Sequence, residues 1–241
     1  MDLQANPGKE IEIEVNGKKF HRYAIKTHFI QIGENYIELV KKYVLPNYRE
    51  GDILSMSEKI ISLCQGDVIL KKDLKVSLLA KFLSRYAFKN EAGPAMDNVY
   101  KMQAAIKLAG PVRVFIGALL SGIGKLFGKR GVFYNFVGHG VRNIDGFCVV
   151  AYEYYGDKGV LAPSKPDIAC QNIKDILKVD CMIVDANDYG IQILGTNREI
   201  RYGNNTLAKI IDDNPSGQEG EQTPFILIRE IPRLQEEMVI A

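Results

Sequence analysis

A chain of 241 residues, 46% hydrophobic and 25% charged, is long enough to bury a sizeable core as one large domain or two small ones. A formal charge of +2 without a sustained basic stripe excludes the electrostatic footprint of a nucleic-acid binder. The polar start "MDLQANPGKEIEIEV" lacks the apolar region of a secretion signal, and no run is long enough to span a bilayer. The expected location is the cytoplasm.

In chain order, "IEIEVNGKKFHRYAI" alternates apolar and charged residues around Asn16-Gly17, which supplies the two positive-φ positions of a tight turn. That pattern predicts a β-hairpin. "ENYIELVKKYV" has helical spacing at Ile37, Val40 and Val44. "EGDILSMSEKIISLCQGDVIL" predicts a strand, a polar break, an apolar stretch and a second short strand. A helix is expected over Asp73–Arg85, capped by Asp73 with Leu74, Leu78 and Phe82 along one face. Another is expected over Asp97–Leu108, capped by Asp97 and stopped at Gly110-Pro111.

"VRVFI", "VFYNFV" and "GFCVVAYEYY" read as strands, and so do both halves of "CMIVDANDYGIQILG". "KPDIACQNIKDILK" predicts a helix capped near Asp167, and "NNTLAKIID" a short one. "NPSGQEGEQ" is a polar loop and "PFILIRE" a buried strand. Hairpins mixed with strand-helix-strand units indicate an α/β (α+β) fold, with mixed sheets and flanking helices. The expected organisation is an N-terminal hairpin over 1–24, a main domain over 25–231 and a loosely attached tail over 232–241. A boundary near Gly110 is an alternative division.

The four cysteines, Cys64, Cys148, Cys170 and Cys181, show no Cys-x-x-Cys spacing and sit in apolar surroundings. Buried free thiols are the expectation. The three histidines have no paired spacing, which argues against zinc.

Four segments carry candidate chemistry. In "DANDYG", Asp185 follows the apolar run Cys181–Val184, with Asn187 and Asp188 adding oxygen atoms. Hard cations such as magnesium or manganese want such oxygen-rich surroundings. The same residues are those of a hairpin turn, and both readings can hold together. In "FVGHGVRNIDGF", glycines flank His139, which could contact phosphate or move a proton, and Asp145 is a candidate second carboxylate for a shared cation. Lys59, after the strand ending near Met56, can meet a phosphate as a point charge or simply stand in water. "GALLSGIGKLFGKRG" is not a phosphate loop, because Leu126 follows Gly124-Lys125 where Ser or Thr is required. It can be an amphipathic segment that touches a partner or a membrane surface, or a flexible lid.

Taken in order, "EGDILSMSEKIISLCQG", "GHGVRNIDGF", "GVLAPSKPDIACQNIKDIL", "CMIVDANDYG" and "GQEGEQTPFILIRE" resemble the coenzyme F-420 gamma-glutamyl ligase family, over roughly Lys26 to Glu230. The resemblance implies an intertwined homodimer that binds GTP (or ATP, which the sequence does not separate) with Mg2+ or Mn2+. It implies an amide bond made between glutamate, or another amino acid, and an acidic small-molecule acceptor activated as an acyl phosphate. Nucleic acid is not an expected partner, and membrane contact is not expected either. Asp185 and Asp145 would hold metal, Lys59 and Ser62 the nucleotide, and His139 would act at the acceptor. This chain departs from the family pattern at Ala186, where a threonine is usual, at Glu58, where a serine is common, and at Leu63, where a second lysine is common. Arg142 falls at the family's second metal aspartate and Asp145 at its asparagine. These departures leave open a non-catalytic relative that keeps the fold as a ligand-binding module.

Overall fold

The computed structural model describes residues 3–87, 96–129, 131–138, 140–147, 153–187, 190–217 and 220–232. The chain divides into two compact units, 1–65 with 163–241, and 66–162. The N-terminal hairpin belongs to the first unit, and Gly110 lies inside the second.

In the first unit, β1 (Glu12–Val15) and β2 (Lys18–Ile25) form the expected hairpin. Asn16 and Gly17 take φ of 52° and 74°, the turn that matches the twist of the flanking strands. α1 (Tyr36–Tyr43) is capped by Asn35, whose side chain accepts from the Ile37 amide. β3 (Ile53–Ser57) runs straight into α2 (Glu58–Gln65), so the expected polar break and apolar stretch are one helix. After the second unit the chain returns through α7 (Pro166–Leu177), β7 (Asp180–Asn187), β8 (Gly190–Thr196), α8 (Asn204–Ile210) and β9 (Phe225–Ile231).

The strands make one six-stranded mixed sheet, in the order β1-β2-β9-β3-β7-β8. β3 and β7 pair in parallel, and the other neighbours are antiparallel. β9 lies inside the sheet, and Phe225 to Ile228 are all buried, as a strand covered on both faces requires. Met182, Val184, Ile226 and Ile228 pack with Leu207 and Ile210 of α8 on one face. The alternating residues, such as Cys181 and Ile183, therefore point to the other face. α7 packs against β7 and β8, and α2 against β3 and β7.

α7 is the helix expected, but Asp167 does not cap it: Pro166 starts the helix after Lys165, and the Asp167 carboxylate accepts from the Thr196 amide at 3.0 Å. Cys170 and Cys181 are buried free thiols and Cys64 is a half-buried one. Cys148 and the tail from 233 lie outside the described residues.

The second unit holds β4 (Val68–Leu70), α3 (Leu78–Tyr86), α4 (Val99–Ala109), α5 (Pro111–Leu126), α6 (Val132–Val137), β5 (Asp145–Gly146) and β6 (Lys158–Val160). The three strands form a small antiparallel sheet in the order β4-β6-β5. Leu83, Met102, Ile106, Val114, Phe133 and Val137 lie in one apolar cluster between the helices.

Here the sequence expectations need correction. α3 starts five residues later than Asp73. Ser77 is its cap, accepting from the Ala80 amide at 3.1 Å, and Asp73 sits in a short 3-10 turn. Its buried face carries Ala80 and Leu83, while Leu78 and Phe82 are exposed. α4 is capped by Asn98 rather than Asp97. "VRVFI" is the beginning of α5 and "VFYNFV" is α6; neither is a strand. In "GFCVVAYEYY", Gly146 ends β5, 148–152 lie outside the described residues and Glu153–Tyr155 is a 3-10 turn.

Candidate functional site

The parallel pairing of β3 with β7 positions the first group of candidates. Register sets Ser57 opposite Val184. Glu58 and Lys59 therefore follow one strand, and Asp185 continues the other, at the same end of the parallel β3–β7 ladder. Ligands in α/β folds gather at such strand ends. Lys59 stands in the first turn of α2, whose amide groups carry the positive end of the helix dipole. Both Lys59 and Asp185 are half-buried.

Asp185 lies within β7, not at its end. The strand continues to Asn187, and Asp185 pairs with Gln192 of β8. It is the first residue beyond the parallel ladder. The segment "DANDYG" is therefore a hairpin, with Asn187 opposite Gly190. Asp188, offered as a further oxygen ligand, lies outside the described residues.

Ser62 does not face this strand end. It is 0% exposed, and its hydroxyl donates to the Glu58 carbonyl at 3.1 Å, one turn back along α2. The buried hydroxyl presents no surface to a nucleotide. Asp145 belongs to the second unit, in β5, where its carboxylate accepts from the Gly146 amide at 2.8 Å. His139 lies outside the described residues.

Arg142 is turned to its own surroundings. Its guanidinium donates to the Asn135 side chain at 3.0 Å and lies 5.8 Å from the centre of the Tyr134 ring. Burial pushes the Tyr134 phenol up from its ordinary value, against the opposing pull of the Arg142 charge. Among the described residues, no group of three or more His, Cys, Asp or Glu side chains could hold a metal by itself. Two carboxylates, Glu58 and Asp185, leave the β3–β7 parallel ladder at the same end, too few to complete the oxygen shell of a hard cation, which would need further oxygens from a ligand or water.

Three other polar groups escaped the sequence reading. Asp52 receives a bidentate ion pair from Arg229, at 2.8 and 2.6 Å, inside the first unit. Buried Arg22 pairs with Asp213 and also donates to the Ile210 and Glu10 carbonyls. The His28 ring nitrogens lie 2.6 Å from the Tyr43 hydroxyl and 2.9 Å from the Glu34 carboxylate. Each joins residues far apart in the chain or a turn to a helix, which no local motif marks. The first two are structural by their burial.

In the second unit, a shallow apolar depression of about 450 Å³ is lined by Gly110, Val112, Ile116 and Phe136. It opens on the first turns of α5. No family model matches the chain, and no curated protein matches it.

Proposed function

We propose that the first unit binds a nucleoside triphosphate at the end of the parallel β3–β7 ladder, as a divalent-metal-dependent amide ligase. The observation that carries this reading is the register Ser57–Val184, which gives Lys59 and Asp185 one common strand end. Lys59 meets phosphate oxygens as a point charge, aided by the first-turn amides of α2. Asp185 accepts a coordination position on the Mg2+ or Mn2+ that accompanies the phosphates. Such an ion neutralises phosphate charge as it builds during transfer. A terminal phosphoryl group passes to the carboxylate of an acidic acceptor, and the amine of glutamate or another amino acid displaces phosphate to leave the amide.

The test is nucleotide turnover and thermal shift with Mg2+, for the parent chain, Lys59→Ala and Asp185→Asn. The expected result is a nucleotide-dependent rise in melting temperature that EDTA removes. Lys59→Ala should weaken it by about tenfold in nucleotide concentration, and Asp185→Asn should make it insensitive to metal. No shift and no turnover with either GTP or ATP would overturn the proposal.

A second reading is favoured by Arg142, which is held by Asn135 where the family would place a metal carboxylate. It is a binding module without turnover. A nucleotide-induced shift that Asp185→Ala leaves unchanged, with no amide or phosphate formed, would decide for it.

A further inference from the structure

α5 is apolar on both of its long sides, and only one side is covered. Val114, Gly117 and Gly124 are buried. A Cβ built at Gly117 or Gly124 would stand 2.5 Å from a Val137 methyl or 2.8 Å from a Val132 methyl. The two glycines thus let α6 lie close along that side. On the opposite side Val112, Phe115, Leu119, Ile123 and Leu126 recur at spacings of three and four, the period of a single helical stripe. All five are exposed, Leu119 at 54% and Leu126 at 83%. A 16-residue helix is about 24 Å long, so the stripe is continuous over that distance. Isolated exposed leucines are ordinary in soluble proteins, but a contiguous apolar face marks a surface that something covers.

The charges say what covers it. From Asn98 to Ile144 there are seven Lys and Arg residues and no Asp or Glu. The formal charge of the whole chain is only +2, so the remainder is net acidic. Arg113 stands near the start of the stripe, Lys125 and Lys129 stand at its end, and all three are exposed. A second copy would set these cations against their like. A lipid surface with anionic headgroups takes both features, acyl chains receiving the stripe and phosphates the cations. Among the described residues no single helix is long and apolar enough to cross a membrane. With one side packed on α6 and basic residues towards both ends, α5 fits the plane of the interface.

We infer that α5 is an interfacial helix that docks the protein on an anionic lipid bilayer. This does not rest on the nucleotide site, and Asp185→Asn should leave it unchanged. The test is flotation of the full chain with phosphatidylcholine vesicles, with and without phosphatidylglycerol, at low and high salt. The expected result is binding to the anionic vesicles that high salt weakens. Lys125→Glu with Lys129→Glu, and separately Leu119→Gln with Ile123→Gln, should each lower partitioning by about tenfold or more. Unchanged melting temperatures would show that both variants fold. Absence of flotation with anionic vesicles at low salt would overturn the inference, as would equal flotation of folded variants and parent. So would a chain that ignores vesicles and sediments as a dimer until Leu119 and Ile123 are changed, which would make the stripe an interface between copies.

Discussion

The six-stranded sheet of the first unit and the helices of residues 66–162 are held by different means. In the sheet, alternation, a two-residue turn and a buried ion pair each specify one arrangement. In the helical unit, apolar helices pack through small residues, and one helix is apolar where it packs and where it meets water. The first kind of order is written locally in the sequence. The second exists only once the neighbours are in place.

The largest effect should come from the ion pair of the sheet. Arg229 is fixed by Asp52 and by the Asn47 carbonyl at 3.0 Å, and Asp52 also accepts from the Arg49 amide at 2.9 Å. The Asp52 side chain is 3% exposed and that of Arg229 12%. Asp52→Ala would strand a buried guanidinium, a change that costs about 3–5 kcal/mol. Urea denaturation of the parent and variant measures it. A loss under 1 kcal/mol would mean that the charge reaches water and that this unit is not specified by its buried polar contacts.

Paired glycines sharpen the comparison at a smaller scale. A Cβ at Gly195 of β8 would lie 2.7 Å from the Asp167 amide nitrogen and the Pro166 carbonyl carbon. Those are backbone atoms of α7, so the helix itself would have to move, and Gly195→Ala should cost about 3 kcal/mol. At Gly117 the obstacle is a Val137 side-chain methyl. Side chains yield more easily than backbone, and Gly117→Ala should cost about 1 kcal/mol. Thermal melts of the two variants give the order. Equal losses would show that α5 and α6 are locked as rigidly as β8 and α7.

The same contrast explains what was legible beforehand. The β1–β2 hairpin, α7, the β7–β8 hairpin and β9 announce themselves through Asn16-Gly17, a 3.6-residue period and continuous apolar runs. α5 and α6 do not. With apolar residues on both sides, α5 loses the period that separates a helix from a buried strand, so "VRVFI" reads as a strand. In "VFYNFV" five of six residues are β-branched or aromatic, and the fit of Val132 and Val137 over Gly124 and Gly117 is what accompanies the helix. Ser77 replaces Asp73 as a cap in a setting where its amide is also held by Gln103 at 2.8 Å, a contact no local window contains. At the candidate site, residue types pointed to Lys59 and Asp185. Their common strand end was hidden, because the register joins segments separated by the whole helical unit. Ser62, expected from the resemblance alone, lies on the buried side of α2, which no local pattern announced.

The smallest effect concerns acid sensitivity at the C-terminal end of β9. Burial raises the Glu230 carboxyl, but Tyr202, Lys18 and Arg201 outweigh it and hold it below its ordinary value of 4.5. The two cations lie 2.9 and 2.6 Å away. A carboxyl held down in the folded state binds protons less readily there than in the unfolded chain. Its stabilisation is therefore complete above the ordinary value and fades as pH falls through the folded one. Glu230→Gln should lose about 1 kcal/mol at neutral pH, since charge-assisted contacts at a partly wetted site are worth little more. The gap between the parent and variant melting curves should close below pH 4.5. A gap that stays constant to pH 3 would assign the loss to packing against Tyr202. This end of β9 would then be held in the same way as the helical unit, and the contrast between the two would be confined to the buried pair.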